Sequence, residues 1–211
     1  MSSFFSFCYD DCVKILTDSA WLDDNGILAK VASKVFSAPS LPISITFRGD
    51  AQICVQTLIN LANYIDNVAI FYTVDSVYPV IFRFFENLRH EGHKDAEFLI
   101  GLFSEASGPQ HFYVALHDRS GFEPFTAVNP AKQISAGAEI SWHDIAESGA
   151  TAEDLKRSDF PDRFGHTVMN AMRKPAKIPG SDRSVVGLGG FVELTTITRL
   201  GSGPIDFRRL A

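Results

Sequence analysis

The apolar residues of this chain change their spacing twice, and that change limits the fold more than any single motif. Residues 4–9 and 13–16 are short apolar runs joined by Asp10-Asp11, the pattern of a hairpin. Asp23-Asp24-Asn25-Gly26 is a second turn, because Asn-Gly readily takes positive φ. Two more strands are expected over 34–37 and 43–47, around the breaker Pro39-Ser40-Leu41-Pro42. The spacing then shifts to three and four. Val55, Leu58, Ile59, Ala62 and Ile65 mark a helix face, with Asp50 at its N-cap. A second helix is expected over 76–90, with Pro79 in its first turn and Val77, Ile81, Phe84, Phe85 and Leu88 on its apolar side.

Strand spacing returns at 97–103, 112–116, 125–128 and 133–135, separated by Gly108-Pro109, Ser120-Gly121 and Asn129-Pro130. A helical section over 142–172 is interrupted at 158–161. Residues 174–190 form a Pro/Gly/Ser-rich loop, and 191–198 with 204–209 close the chain as a hairpin. Strands and helices in segregated runs favour an α+β fold over a parallel βαβ sheet. Neither a linker nor a repeat divides the 211 residues, so 1–211 reads as a single domain.

Composition excludes several classes of function. Apolar residues make up 45% and charged residues 21%, and the 18 phenylalanines suit an aromatic-filled core. The net charge of -6, with no basic stripe, argues against nucleic acid and anionic membranes as partners. Cys8, Cys12 and Cys54 read as buried thiols in a reducing compartment. The start Met1-Ser2-Ser3-Phe4-Phe5 lacks the basic flank of a signal peptide, and Asp75, Arg83 and Glu86 break the most apolar stretch, 68–88. A soluble cytoplasmic protein is expected.

The stretch Asp11-Cys12-Val13-Lys14-Ile15-Leu16-Thr17-Asp18-Ser19-Ala20 resembles the start of proteasome β subunits and of the related bacterial ATP-dependent peptidase subunits. Ser33-Lys34-Val35-Phe36 looks like that family's Lys-Val segment, and Phe47-Arg48-Gly49-Asp50-Ala51 like its glycine turn before the first helix. Further on, 98–103 with Gly108-Pro109 and Tyr113, then Ile134-Ser135-Ala136-Gly137, then 189–194, follow the family's order. The resemblance spans nearly the whole chain. It implies an N-terminal-nucleophile (Ntn) hydrolase built as a four-layer αββα sandwich of two antiparallel sheets.

In active members the first residue of the mature chain is the nucleophile, followed by an Asp after 16 positions and a Lys after 32. Here 18 − 16 and 34 − 32 both give Ser2. The resemblance therefore implies Ser2 as nucleophile once Met1 is removed, with Asp18 and Lys34 as its helpers. A serine hydroxyl needs a base, and a free α-amine has a pKa of about 7.7–8.0, close to working pH. Lys34 would ease proton removal and keep that amine neutral, while Asp18 orients Lys34. The main-chain N–H of Arg48 or Gly49 would face the oxyanion. The substrate would be a peptide or amide. No cofactor and no metal is implied, and homo-oligomers, ring-like in the family, are.

Two segments depart from the family pattern. Its helper serine falls on Ala136, with Ser135 one place early, and its late Asp and Ser fall on Val185 and Leu188, with Asp182 and Ser184 nearby. A catalytically inactive structural paralogue is the second reading. Inactive α subunits carry an extension before the first strand, which this chain lacks, and that favours the enzyme. His90, Glu91 and His93 fit a polar helix end better than a metal site, and His111 with His117 lacks a third ligand. Gly187-Leu188-Gly189-Gly190 is followed by no helix pattern, and no G-x-S-x-G elbow occurs.

Overall fold

In the computed structural model, residues 3–23, 26–68, 73–137, 140–173, 175–177, 184–186 and 189–209 are described. They form a mixed α/β fold with several antiparallel sheets. The first hairpin is as expected: β1 (Phe4–Cys8) pairs antiparallel with β2 (Val13–Asp18). Two short strands absent from the sequence reading, β3 (Ala20–Leu22) and β4 (Leu28–Val31), flank the Asp23–Gly26 turn, of which Asp24 and Asn25 lie outside the described residues. β5 (Val35–Ser37) and β6 (Ile43–Gly49) follow.

Helix α1 (Ala51–Val68) starts where Asp50 caps it, the carboxylate accepting the Ile53 N–H at 3.0 Å. Helix α2 (Val74–Asn87) begins two residues before the expected start, so Pro79 sits inside the helix and not in its first turn. The cause is non-local. Glu105, thirty residues on, accepts the N–H groups of Val74 and Asp75 at 2.9 and 3.0 Å and caps the helix from outside.

β7 (Ala96–Ser104), β8 (Gly108–Ala115) and β9 (Gln133–Ala136) appear near their expected places. The strand expected over 125–128 does not form. Phe125 has a φ of 62° and is buried from a loop, and Val128 contributes one isolated bridge to Tyr113. The helical section over 142–172 shrinks to α3 (Trp142–Ala146), capped by a Ser141–Asp144 box, and α4 (Phe160–Ala171). In the expected loop of 174–190, β10 (Pro175–Lys177) pairs with β11 (Ser184–Val186). β12 (Phe191–Thr198) and β13 (Gly201–Arg209) form the closing hairpin.

One sheet has the order β13-β12-β2-β1-β9 and another β5-β6-β7-β8. Period-two alternation gives each sheet two apolar faces. Ile43, Ile45, Phe47, Phe98, Ile100 and Leu102 pack on Leu61, Ile65, Ile81 and Phe85 of α1 and α2. Phe5, Phe7, Leu16, Val192 and Leu194 pack on Phe160, Val168 and Met169 of α4. The remaining faces meet each other: Phe4, Val13, Ile15 and Ile197 lie against Leu99, Tyr113 and Ala115. Gly101 sets the closeness of that meeting. A Cβ there would stand 2.6 Å from the Ile197 Cδ1.

A polar pin also joins the two sheets. His111 is fully buried, with Nε2 at 2.9 Å from the Ala131 carbonyl and Nδ1 at 2.8 Å from the Ser6 Oγ. The carbonyl can only accept, so Nε2 carries the proton and Nδ1 accepts from the Ser6 hydroxyl. Burial pushes the His111 pKa down from 6.5 to about 4, against a smaller opposing effect of the Ala131 hydrogen bond. A depressed folded-state pKa gives stability that is complete above pH 6.5 and is lost as pH falls toward 4. The unfolding free energy is expected to drop by about 3 kcal/mol across that window from this group alone. Urea denaturation from pH 7 to pH 4 tests this, and His111→Gln should remove that part of the pH dependence.

Candidate active site

β2 ends in Asp18, and Lys34 stands one residue before β5. The Lys34 Nζ donates to the Asp18 Oδ2 at 2.8 Å, with side chains 2% and 0% exposed. The other carboxylate oxygen, Oδ1, accepts the backbone N–H of Ser3 at 3.1 Å. Thus the pair expected from register is formed, and the first described residue of the chain is bonded to it. Burial raises the Asp18 pKa, against the lowering effects of Lys34 and of the Ser3 and Ala20 N–H groups. Burial likewise lowers the Lys34 pKa, against the attraction of Asp18. The lowered Lys34 pKa means that its ammonium holds its proton less tightly than in water, which suits a group that moves protons.

The segment carrying Lys34 is fixed by contacts that local sequence does not announce. Ala32 donates its N–H to the Ser19 carbonyl at 2.9 Å, and Trp21 donates its indole N–H to the Ala32 carbonyl at 3.1 Å. Ser33 donates its hydroxyl to the Glu193 Oε1 at 2.8 Å, and the Lys34 N–H also reaches the Glu193 carboxylate. Ser19 accepts the Phe191 N–H at 2.6 Å and donates its own N–H to the Phe191 carbonyl at 3.0 Å. The start of the closing hairpin is therefore stitched to the residue that follows Asp18. Glu193 and Ser19 were not singled out in the sequence. The available signal for Glu193 was an acid at an inward position of an otherwise apolar and threonine-rich strand.

Arg48 and Gly49 lie at the end of β6 nearest Lys34. The β5–β6 ladder stops at Val35–Thr46, and β6 runs on with Arg48 opposite Glu97 and Gly49 opposite Ala96 of β7. The Arg48 side chain is engaged elsewhere: its Nη1 donates to both Glu97 oxygens at 3.0 Å, and the His117 Nε2 lies 3.1 Å from the same carboxylate. Gly49 has a φ of 117°, and an added Cβ would run into the Asp95 carbonyl. Only glycine fits this turn.

Ser2, the expected nucleophile, lies outside the described residues, as do Asp182 and Leu188. Ala136, at the helper-serine position, is buried in β9 opposite Phe4 of β1, and Val185 lies in β11. Cys12 and Cys54 are buried thiols as expected, whereas Cys8 is half-buried. Among the described residues, no three His, Cys, Asp or Glu converge as metal ligands, and no helix is long and apolar enough to cross a membrane. No family model and no curated protein matches the chain.

Removing one partner of a buried pair leaves an uncompensated charge, so Asp18→Asn is expected to cost about 3–5 kcal/mol. The double variant Asp18→Asn/Lys34→Met leaves no charge behind and should regain most of that loss. Urea unfolding of both variants and the parent, at neutral pH, measures the difference.

Proposed function

We propose that this chain is an N-terminal-nucleophile hydrolase acting on peptide or amide bonds, with Ser2 as nucleophile and its own α-amine as base. The observation that carries this is the hydrogen bond from the Ser3 N–H to Asp18, whose other oxygen holds the Lys34 ammonium. Ser3 directly follows Ser2 in the sequence, and on this proposal the Ser2 hydroxyl and amine act beside the pair. A free amine at residue 2 would take the Ser2 hydroxyl proton as the oxygen attacks the substrate carbonyl. Lys34, with its pKa lowered by burial, would relay or stabilise that proton, and Asp18 would hold Lys34 in place. The backbone at Arg48 and Gly49, at the β6 end, would offer N–H groups to the oxyanion. No cofactor or metal enters these steps.

The same proposal covers the fold at finer grain, a four-layer αββα sandwich of the proteasome type. The meeting of two antiparallel sheets around Leu99 and Ile15, with helices packed on Phe98 and on Leu16, supports it. A cytoplasmic setting and homo-oligomers, ring-like in the family, come with the resemblance. The second reading, an inactive structural paralogue, draws on Ala136 standing where the family has its helper serine.

Kinetics separate the two. With activated peptidyl amides as substrates, Ser2→Ala is expected to lower turnover by on the order of 10³-fold without moving the unfolding midpoint. Ser2→Thr keeps a hydroxyl and should retain activity within about tenfold of the parent. Equal turnover by the parent and Ser2→Ala would refute the nucleophile, and no turnover by either would favour the paralogue.

A further inference from the structure

A half-open cavity of about 760 Å³ lies at the far end of β1. Its walls are residues 7–11, which run from β1 into the turn after it, residues 130–133 before β9, and parts of 152–158 between α3 and α4. Ser3 and Asp18 stand at the opposite end of the β1–β2 ladder, so this space is separate from the candidate active site. Pockets that hold small organic guests span roughly 300–1,000 Å³, and this one falls within that range.

One wall is held under strain. Ala131 has a φ of 70°, in the left-handed region that a residue with a Cβ rarely enters. Three hydrogen bonds keep the loop there. The Ala131 N–H donates to the Asn129 Oδ1 at 3.0 Å, and its carbonyl accepts from the buried His111 Nε2 at 2.9 Å. Next to it, the Lys132 carbonyl accepts the Cys8 N–H at 2.8 Å. Backbone strain fixed from several sides is characteristic of segments that clamp a ligand. The apolar side of the cavity is also fixed. The Tyr9 ring is stacked on Phe7, with centroids 6.2 Å and planes 7° apart, and Leu155 lines the same space. Burial first, and then the nearby Cys12 and Asp162, raise the Tyr9 pKa, so the phenol keeps its proton. Its hydroxyl is buried with no hydrogen-bond partner among the described residues, which native folds rarely allow unless something else meets it.

Charges of both signs line this apolar-walled space. Asp10, Asp11 and Lys132 are exposed, and among the described residues none of them is in an ion pair, whereas Lys156 is held by Glu153 at 2.7 Å. An anionic guest would meet Lys132 but also two carboxylates. A cationic guest would leave Lys132 unmatched, and a neutral apolar one would desolvate all three charges without return. A guest carrying both signs matches them. The volume exceeds what one free amino acid fills. We propose that this cavity binds a short peptide, of two or three residues, with free termini and an apolar side chain. The α-ammonium faces Asp10 and Asp11, the α-carboxylate faces Lys132, and the side chain rests on Tyr9 and Leu155. The strained 130–133 loop presents Lys132 already in place, which lowers the ordering cost of binding. This site stands independently of the role given to Ser2.

Titration of the full chain with the dipeptide Leu-Phe, followed by backbone amide NMR, tests the site. The Ser2→Ala chain is titrated alongside, so that hydrolysis is not mistaken for binding. The free dipeptide is expected to shift the amides of Tyr9, Ala131 and Leu155. N-acetyl-Leu-Phe lacks the ammonium and Leu-Phe amide lacks the carboxylate, and each should bind roughly five- to tenfold more weakly. Lys132→Met should weaken the free dipeptide by a similar factor and leave the amide form unchanged. Asp10→Asn/Asp11→Asn should weaken the free dipeptide and leave the acetyl form unchanged. These side chains are exposed, so both variants should fold as the parent does. No shift at those amides at millimolar dipeptide, equal binding of the three forms, or charge variants that bind like the parent would overturn the proposal.

Discussion

The ion pair between Asp18 and Lys34 is the constraint around which one end of the molecule is arranged. Asp18 closes β2 in the five-stranded sheet, and Lys34 leads into β5 of the four-stranded sheet. The pair therefore ties the end of β2 to the residue that precedes β5. Two charges taken fully out of water are tolerated only if their remaining hydrogen-bonding capacity is met. The Ser3 N–H meets part of it for Asp18. The ties from Ser19, Trp21 and Glu193 keep the Lys34 segment from swinging its ammonium back into water. Loss of any of these ties leaves the charges in place and loosens their geometry.

The space between the sheets is graded along its length. Around Val13, Ile15, Ile197, Leu99 and Gly101 it is apolar and close, and it supplies stability. Toward the Asp18 end it turns polar, with Thr17, Glu193, Thr46, Arg48, Glu97 and His117. A polar end on an apolar wedge holds charged groups in fixed positions with little water to reorganise, which is the condition that acid–base chemistry exploits. It also explains why Gly49 is needed. The chain must turn sharply from β6 into α1 at this end without a side chain striking the Asp95 carbonyl.

Local pattern carried what depends on near neighbours. The β1–β2 hairpin, the Asp50 cap on α1 and the closing hairpin follow from turn residues and apolar spacing alone. The Asp18–Lys34 partnership was legible from register, through the family resemblance. What escaped depends on distant partners. Glu105 moves the start of α2, a buried loop absorbs the aromatic run that looked like a strand at Phe125, and β3 with β4 are too short to carry a pattern. Glu193 escaped for the same reason, since Ser33, its partner, is 160 residues away.

The chemistry rests on a free α-amine at residue 2, because a peptide nitrogen at that position has no basic lone pair. Intact-mass measurement of the purified protein tests this directly. The expected mass is that of a chain beginning at Ser2, lighter than the written sequence by one methionine. A mass that retains Met1 would leave Ser2 without its base and contradict the proposed mechanism.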